Sequence, residues 1–292
     1  MSLINTLKFI VEHPLNRGNK FGALARFVKW QIGARLMPYP IIYSFTTKSK
    51  LVVEKGMTSA TGSVYCGLYE FNDMAFLLHV LRQEDLFIDV GANIGMYTIL
   101  SAAHLGADTV AVEPIPATFS HLNRNIALNS IARRVRAFNI ALGAEKGTVS
   151  ITSHLGNANH IATADDDNII EVEVDTLDHI LADLFPAIMK IDVEGFETAV
   201  LAGADETLRK QSLKAIIIEL NGLGARFGYD EDKVRALLNG HGFRPYTYDP
   251  FIRKLIASPA SVKHNMIYIR DIPYVEQRIK TAEKVYLRNK LI

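Results

Sequence analysis

An α/β fold, a mostly parallel sheet with helices on both faces, is what this 292-residue sequence predicts. Three observations carry the prediction. From about residue 74, apolar runs of strand length alternate with stretches of helical spacing. One joint, Phe87-Ile88-Asp89-Val90-Gly91-Ala92-Asn93-Ile94-Gly95-Met96, is an apolar run broken at glycine and resumed at helical spacing, which reads strand, tight turn, helix. The closing runs at 243–248 and 266–270 have no helical pattern between them, so they can pair antiparallel at one edge. Alternating β and α implies parallel strands joined by crossover helices.

The elements follow in order. Residues 1–50 read as helix with breaks at Pro14, Gly18, Gly33, Pro38 and Pro40. Residues 51–75 suggest a short strand and a glycine-containing loop. Helix is expected over 74–81, strand over 86–90, helix over 95–105 and strand over 109–113. A helix entered through Pro114 and Pro116 spans 117–129, and a strand spans 135–142. Residues 148–152 and 169–174 alternate with period two, the mark of an antiparallel pair at a sheet edge or cover. A polar loop, His154 to Asn168, lies between them. Asp175-Thr176-Leu177-Asp178 starts a helix. Strands at 187–193 and 215–220 alternate with helices at 197–208 and 230–238. A last helix over 274–288 would place Tyr274, Ile279, Ala282 and Tyr286 on one face, packed within the chain. The domain reading is a basic helical and loop extension, 1–73, forming part of a substrate cover, and a main domain, 74–292.

Hydrophobic content of 49% and charged content of 22% are those of a globular protein with a sizeable core. No apolar run reaches the 18 residues of a spanning helix, and the N-terminus lacks the layout of a signal peptide. The single cysteine, Cys66, excludes an internal disulfide framework and reads as an inert core thiol. A cytoplasmic location is expected, with no nucleic-acid partner. The net charge of +1 hides an asymmetry: residues 1–50 hold eight cations against Glu12, a balance of +7. There Phe21, Leu24, Val28 and Ile32 share one helical face. We expect that face to pack on the domain with the basic side in solvent; contact with a membrane surface is the alternative.

The glycine turn offers backbone N–H groups and a helix N-terminus beside a strand's carboxyl end, where nucleotide-like ligands bind in open sheets. The dinucleotide fingerprint needs glycines at relative positions 0, 2 and 5; here these are Gly91, Asn93 and Met96. A P-loop is absent too. What remains is Asp89 at the strand end, a Gly-x-Asn-x-Gly turn, and Glu113, 22 residues after Gly91 and placed to accept ribose hydroxyls. That set suits a nucleoside without a pyrophosphate, of which S-adenosylmethionine is the common one. A second cluster is Met189-Lys190-Ile191-Asp192-Val193-Glu194-Gly195. Asp192 and Glu194, at i and i+2, should share one side of a strand with Lys190. They could take a substrate proton or bind a cation. Glu219 and Asn221 lie at the next strand end, near the same crevice. His154, Asn157, Asn159 and His160 form a polar flap; two histidines without nearby carboxylates are a weak metal signal, and no metal site is assigned.

These motifs resemble the FkbM-type S-adenosylmethionine-dependent methyltransferases. The resemblance rests on Phe87 through Gly95, on Val112-Glu113-Pro114-Ile115-Pro116 with Asn125-Ile126-Ala127-Leu128-Asn129, on Ala141-Leu142-Gly143, on Thr176-Leu177-Asp178, and on Lys190 through Glu197. It covers about residues 64–222. It implies a Rossmann-like class I methyltransferase fold, a three-layer sandwich around a seven-stranded sheet with one antiparallel edge strand. It also implies methylation of a hydroxyl on a sugar, glycan or natural product. By position, Asp89, Gly91, Ala92, Asn93 and Gly95 would hold the methionine end and ribose side of S-adenosyl-L-methionine. Glu113 would hold the ribose hydroxyls, and Asn139 to Leu142 would lie against adenine, with Ala141 where many class I enzymes have an acid. Asp192 or Glu194 would be the base. The rival readings are a Rossmann-type oxidoreductase and a non-catalytic binding module on a methyltransferase fold.

Overall fold

The computed structural model describes residues 2–37, 39–153, 159–162, 166–258, 265–288 and 290–292. Helices α1 (Leu3–Glu12) and α2 (Lys20–Leu36) open the chain. Each has a side-chain N-cap: Ser2 accepts from the Asn5 amide and Asn19 from the Gly22 amide. A hairpin of β1 (Ile41–Ser44) and β2 (Lys50–Val53) follows, then α3 (Thr58–Cys66) and α4 (Phe71–Val80). The alternation then begins with β3 (Leu86–Val90), α5 (Met96–Ile99, continued by π-helical turns over Leu100–Leu105) and β4 (Asp108–Val112). It runs on through α6 (Pro116–Leu128), which starts at proline as its missing N–H allows, to β5 (Val135–Phe138).

Next come β6 (Ala141–Leu142), β7 (Gly147–Thr152), β8 (Ile169–Asp175) and α7 (Leu177–Ile180). The second half holds β9 (Ile188–Ile191), α8 (Glu197–Ala202), α9 (Asp205–Arg209), β10 (Ala215–Glu219) and α10 (Glu231–Gly240). The chain closes with β11 (Arg244–Asp249), β12 (Lys254–Ala257), β13 (Asn265–Ile269), α11 (Ile272–Thr281) and the hairpin β14 (Tyr286–Leu287) and β15 (Lys290–Leu291).

The central sheet has the order β12-β11-β13-β10-β9-β3-β4-β5. Strands β5, β4, β3, β9 and β10 are parallel neighbours; β13 is antiparallel to both β10 and β11. The central strand runs are mostly apolar, as strands covered on both faces are, and Asp89, Lys190 and Glu219 fall towards their carboxyl ends. Phe87, Ala111, Ile188 and Ile217 enter one core, while Ile88, Val110, Met189 and Ile216 enter the other. The result is a Rossmann-like α/β fold, a mostly parallel sheet with a core on each face. No helix among the described residues is long and apolar enough to cross a membrane.

Several expectations shift in detail. The sheet has an eighth strand, β12, hairpinned to β11, and the antiparallel β13 sits inside it, between β10 and β11. The run 135–142 is two strands in different sheets. The Asn139 side chain interrupts it by donating to the Glu113 and Pro114 carbonyls, and β6 joins β8 and β7 instead. The last helix stops at Thr281; Ala282 is already extended and Tyr286 belongs to the terminal hairpin, so the proposed face splits after Ile279. Residues 41–44 are strand rather than helix. Of the α2 face read from the sequence, Phe21, Val28 and Ile32 are exposed and Leu24 is half-buried; the covered face is the opposite one, where Ala23, Phe27 and Trp30 pack against Val64, Tyr65 and Cys66. The covered face brings two aromatic rings, Phe27 and Trp30, against the chain, where the opposite face has only Phe21. Of the predicted flap, His154 and Asn157 lie outside the described residues.

Candidate active site

Parallel strands bring the carboxyl ends of β3, β4, β9 and β10 to one edge, and a cavity of about 290 Å³ opens there. Its wall includes Asp89, Gly91, Ala92, Asn93, Glu113, Ala141, Asp192 and Glu194, so most of the residues that the sequence points to converge there. Gly95 is not in the wall. It starts α5 at a φ of 91°, and a Cβ there would lie 2.5 Å from the Leu122 side chain.

The turn after β3 is held from several directions. The Gly91 and Ala92 amides donate to the Val112 carbonyl. Asn93 has a φ of 53°, and its side chain accepts from the Ile94 amide at 2.7 Å. Glu113 is 6% exposed and accepts from the Asn93 amide and the Ile115 amide, both at 2.9 Å. Burial pushes its carboxyl up to about 7 against the pull of those two amides. The carboxylate thus sits beside the Gly91 turn, in the cavity wall. Asp89 is 1% exposed; one oxygen accepts from the Thr98 amide and hydroxyl at 2.9 and 2.6 Å, while the other has no partner. Burial raises its pKa, opposed by Lys190 and by the Thr98 bonds. A buried, unpaired carboxylate oxygen is costly unless a ligand satisfies it.

The turn after β9 is built differently. The strand ends at Ile191, so Asp192 and Glu194 lie in the turn and do not alternate along a strand. Glu194 takes a φ of 52° and Gly195 one of 103°. Glu197 clamps this turn, accepting from the Val193 and Gly195 amides at 3.1 and 3.2 Å. Asp192 and Lys190 pair at 2.6 Å. Burial would raise the Asp192 pKa, but the Lys190 charge and hydrogen bond outweigh it and hold the carboxyl below its ordinary value. Glu219, hydrogen-bonded to Asp192, is pushed up to about 8 by burial and then by the Asp192 charge. Glu194 rises to about 7 through burial, Asp192 and Glu197, and its side chain has no hydrogen bond among the described residues. Lys190 is buried, yet Asp192, Glu70 and Asp89 raise its pKa and keep it charged. Asp192, Glu194 and Glu219 each offer an oxygen, all within 4.8 Å of one another.

Two wall residues had no signal in the sequence. Tyr97 donates to Glu70 at 2.7 Å, and Lys190 stands 4.8 Å from the centre of the Tyr97 ring. Glu70 precedes the regular alternation, and nothing in its spacing points to Tyr97. Asn221 is spent on its own turn, accepting from the Leu223 amide. His160 lines the cavity and has a carboxylate neighbour after all, Asp166 at 3.4 Å.

The fold and this strand-end cavity are those of a class I methyltransferase. Residues 89–245, more than half of the chain, match the family model for the methyltransferase FkbM domain. The chain belongs to that family and is a methyltransferase. It is 30% identical over 212 residues to 31-O-demethyl-FK506 methyltransferase FkbM of Streptomyces tacrolimicus, covering 59% of this chain and 78% of that one. It is 26% identical over 209 residues to methyltransferase sdnD of Sordaria araneosa, covering 59% and 79%. Hexuronic acid methyltransferase AglP of Haloferax volcanii is 29% identical over 166 residues, covering 56% and 65%.

Proposed function

We propose that this protein methylates a hydroxyl of a sugar, glycan or natural product, using S-adenosylmethionine. The observation that carries the reading is the charge of the cavity. Six carboxyl groups, Glu70, Asp89, Glu113, Asp192, Glu194 and Glu219, line it with Lys190. Even with several of these acids raised towards or above 7, Lys190 is the only lysine or arginine in the described wall and is already paired with Asp192, so a sulfonium cation suits the cavity while the pyrophosphate of a nicotinamide dinucleotide would find no free cation to meet it. The residues fit such a cofactor. Asp89 has an unpaired oxygen for its amino group, and a side chain at Gly91 would overlap the Asp192 carbonyl, so backbone alone faces the ligand. Asp89, Gly91, Ala92 and Asn93 hold the methionine end, Glu113 the ribose, and Ile140 to Leu142 the adenine. When bound, the cofactor supplies a methyl carbon on positive sulfur, which keeps the bonding pair as the acceptor oxygen takes the methyl.

The chain's own work is alignment and proton removal. Alignment supplies roughly 7–11 kcal/mol. Glu194, titrating at about 7, is matched to take a hydroxyl proton at neutral pH. Asp192, ionised by its pairing with Lys190, keeps a negative charge beside Glu194 that strengthens it as a base. Residues 1–73 form part of the acceptor cover, in keeping with Ser59, Tyr69 and Glu70 in the wall; residues 74–292 form the catalytic domain. A relative named for a hexuronic acid and another for a 31-O-demethyl compound support an oxygen acceptor. We place the activity in the cytoplasm, consistent with the single buried, free Cys66, and assign no nucleic-acid substrate. Calorimetry tests the cofactor: S-adenosylmethionine and S-adenosylhomocysteine should bind and NAD should not. Mass spectrometry should then detect a methyl group on a hexuronic acid or related hydroxyl acceptor. Binding of NAD alone would hand the cavity to an oxidoreductase, and no affinity for either sulfur nucleoside would end the reading.

A further inference from the structure

Helix α2 is apolar on two opposite sides. At about 100° per residue, Ala23, Phe27 and Trp30 fall on one side and are covered by the chain. Phe21, Val28, Ile32 and Leu36 fall on the other and are 89%, 51%, 54% and 76% exposed. Beyond the helix end Met37, Tyr39 and Ile42 are exposed too, by 63%, 78% and 65%. Scattered exposed apolar residues need no explanation, but a stripe along a helix marks an interaction surface. Cations flank it. Lys20, Lys29 and Arg35 are all exposed, and among the described residues none forms an ion pair; Arg35 bonds only Gln31. Glu12 is the one acid in residues 1–50, against eight cations.

We infer that this face of α2 docks on an anionic membrane surface. The stripe enters the boundary of headgroups and acyl chains, and Lys20, Lys29 and Arg35 meet the lipid phosphates. A second copy of the chain is the rival occupant. A two-fold pairing would set the same cations against each other, whereas an anionic surface complements them.

Co-sedimentation of the full chain with vesicles tests this. One set is phosphatidylcholine alone, the other an equal mixture with phosphatidylglycerol. The protein should partition to the mixed vesicles, hardly to the neutral ones, and release as salt rises. Phe21→Ser with Ile32→Ser should weaken partitioning about tenfold or more. Lys20→Gln, Lys29→Gln and Arg35→Gln together should weaken it roughly a hundredfold. Circular dichroism melts establish that both variants keep the fold. The inference is overturned by no binding to the mixed vesicles, or by binding that neither variant weakens. A wild-type dimer in sedimentation velocity that Phe21→Ser with Ile32→Ser dissolves, without vesicle binding, would assign the face to a second copy. None of these readouts depends on methyl transfer.

Discussion

The turns after β3 and β9 are near copies with different chemistry. Each follows a buried parallel strand and leads to a helix. Each carries a non-glycine residue in the left-handed region, Asn93 or Glu194, and then a left-handed glycine, Gly95 or Gly195. Each is clamped by a buried glutamate accepting backbone amides, Glu113 in one and Glu197 in the other. They part at the left-handed residue. The Asn93 side-chain oxygen is used within its own turn, while the Glu194 carboxyl has no hydrogen bond among the described residues and stands beside Asp192 and Glu219. A turn whose polar groups are spent on backbone is a rigid cradle. A turn whose carboxyls face one another and a lysine is a titrating device.

The largest effect should come from the titrating turn. Glu194→Gln should cut turnover by roughly 10²–10⁴-fold and abolish the rise of rate with pH near 7. Affinity for S-adenosylhomocysteine should stay near wild type, because the β3 turn is untouched. Near-normal turnover would erase the proposed division of labour. Next in size is the contact between the turns. Gly91→Ala forces a φ of 75° on a side chain and sets its Cβ against the Asp192 carbonyl. Strain and overpacking together should cost about 2–5 kcal/mol of stability in denaturant unfolding and lower cofactor affinity. An unchanged midpoint would show that the two turns are not pressed together.

The smallest effect is on stability against pH. Asp73, Glu113, Glu194 and Glu197 are raised to about 7 and Glu219 to about 8. A raised carboxyl binds its proton more tightly folded than unfolded, so its contribution is full at low pH and is lost as pH climbs through the folded value. His13, His79 and His104 are lowered to about 4 and act oppositely, but only below their ordinary 6.5. Between pH about 6.5 and 8 the carboxyls act alone. Stability should fall there, with a slope of at most about 1.4 kcal/mol per pH unit for each proton released. Thermal melts should show the decline, and Glu219→Gln should shallow its upper end. A flat profile would mean that these acids ionise in the folded protein at their ordinary values.

The cradle turn could be read largely from sequence because its parts are close in the chain. Asp89, Gly91, Asn93 and Glu113 sit at a spacing that a strand, a turn and the next strand impose. The titrating turn was legible as a cluster of charges but not as geometry. Asp192 and Glu194 meet through a left-handed turn, not through strand alternation. The Glu70 to Tyr97 bond joins α4 to α5 with no periodicity to announce it. On α2, residues 21, 28 and 32 were visible as an apolar face. Periodicity could not say which of two apolar sides the rest of the chain would cover.

Local patterns, set by backbone sterics and hydrophobic periodicity, were enough for the alternation of the parallel strands with helices, the glycine turn and the acids near the strand ends. Protonation was settled only by packing. Asp192 is held below its ordinary pKa while Glu219 and Glu194 are pushed above theirs, because burial and the Lys190 ammonium act on the three unequally. Charge interactions depend on distance and surroundings, and residues from β9 and β10 become neighbours only once the sheet has formed.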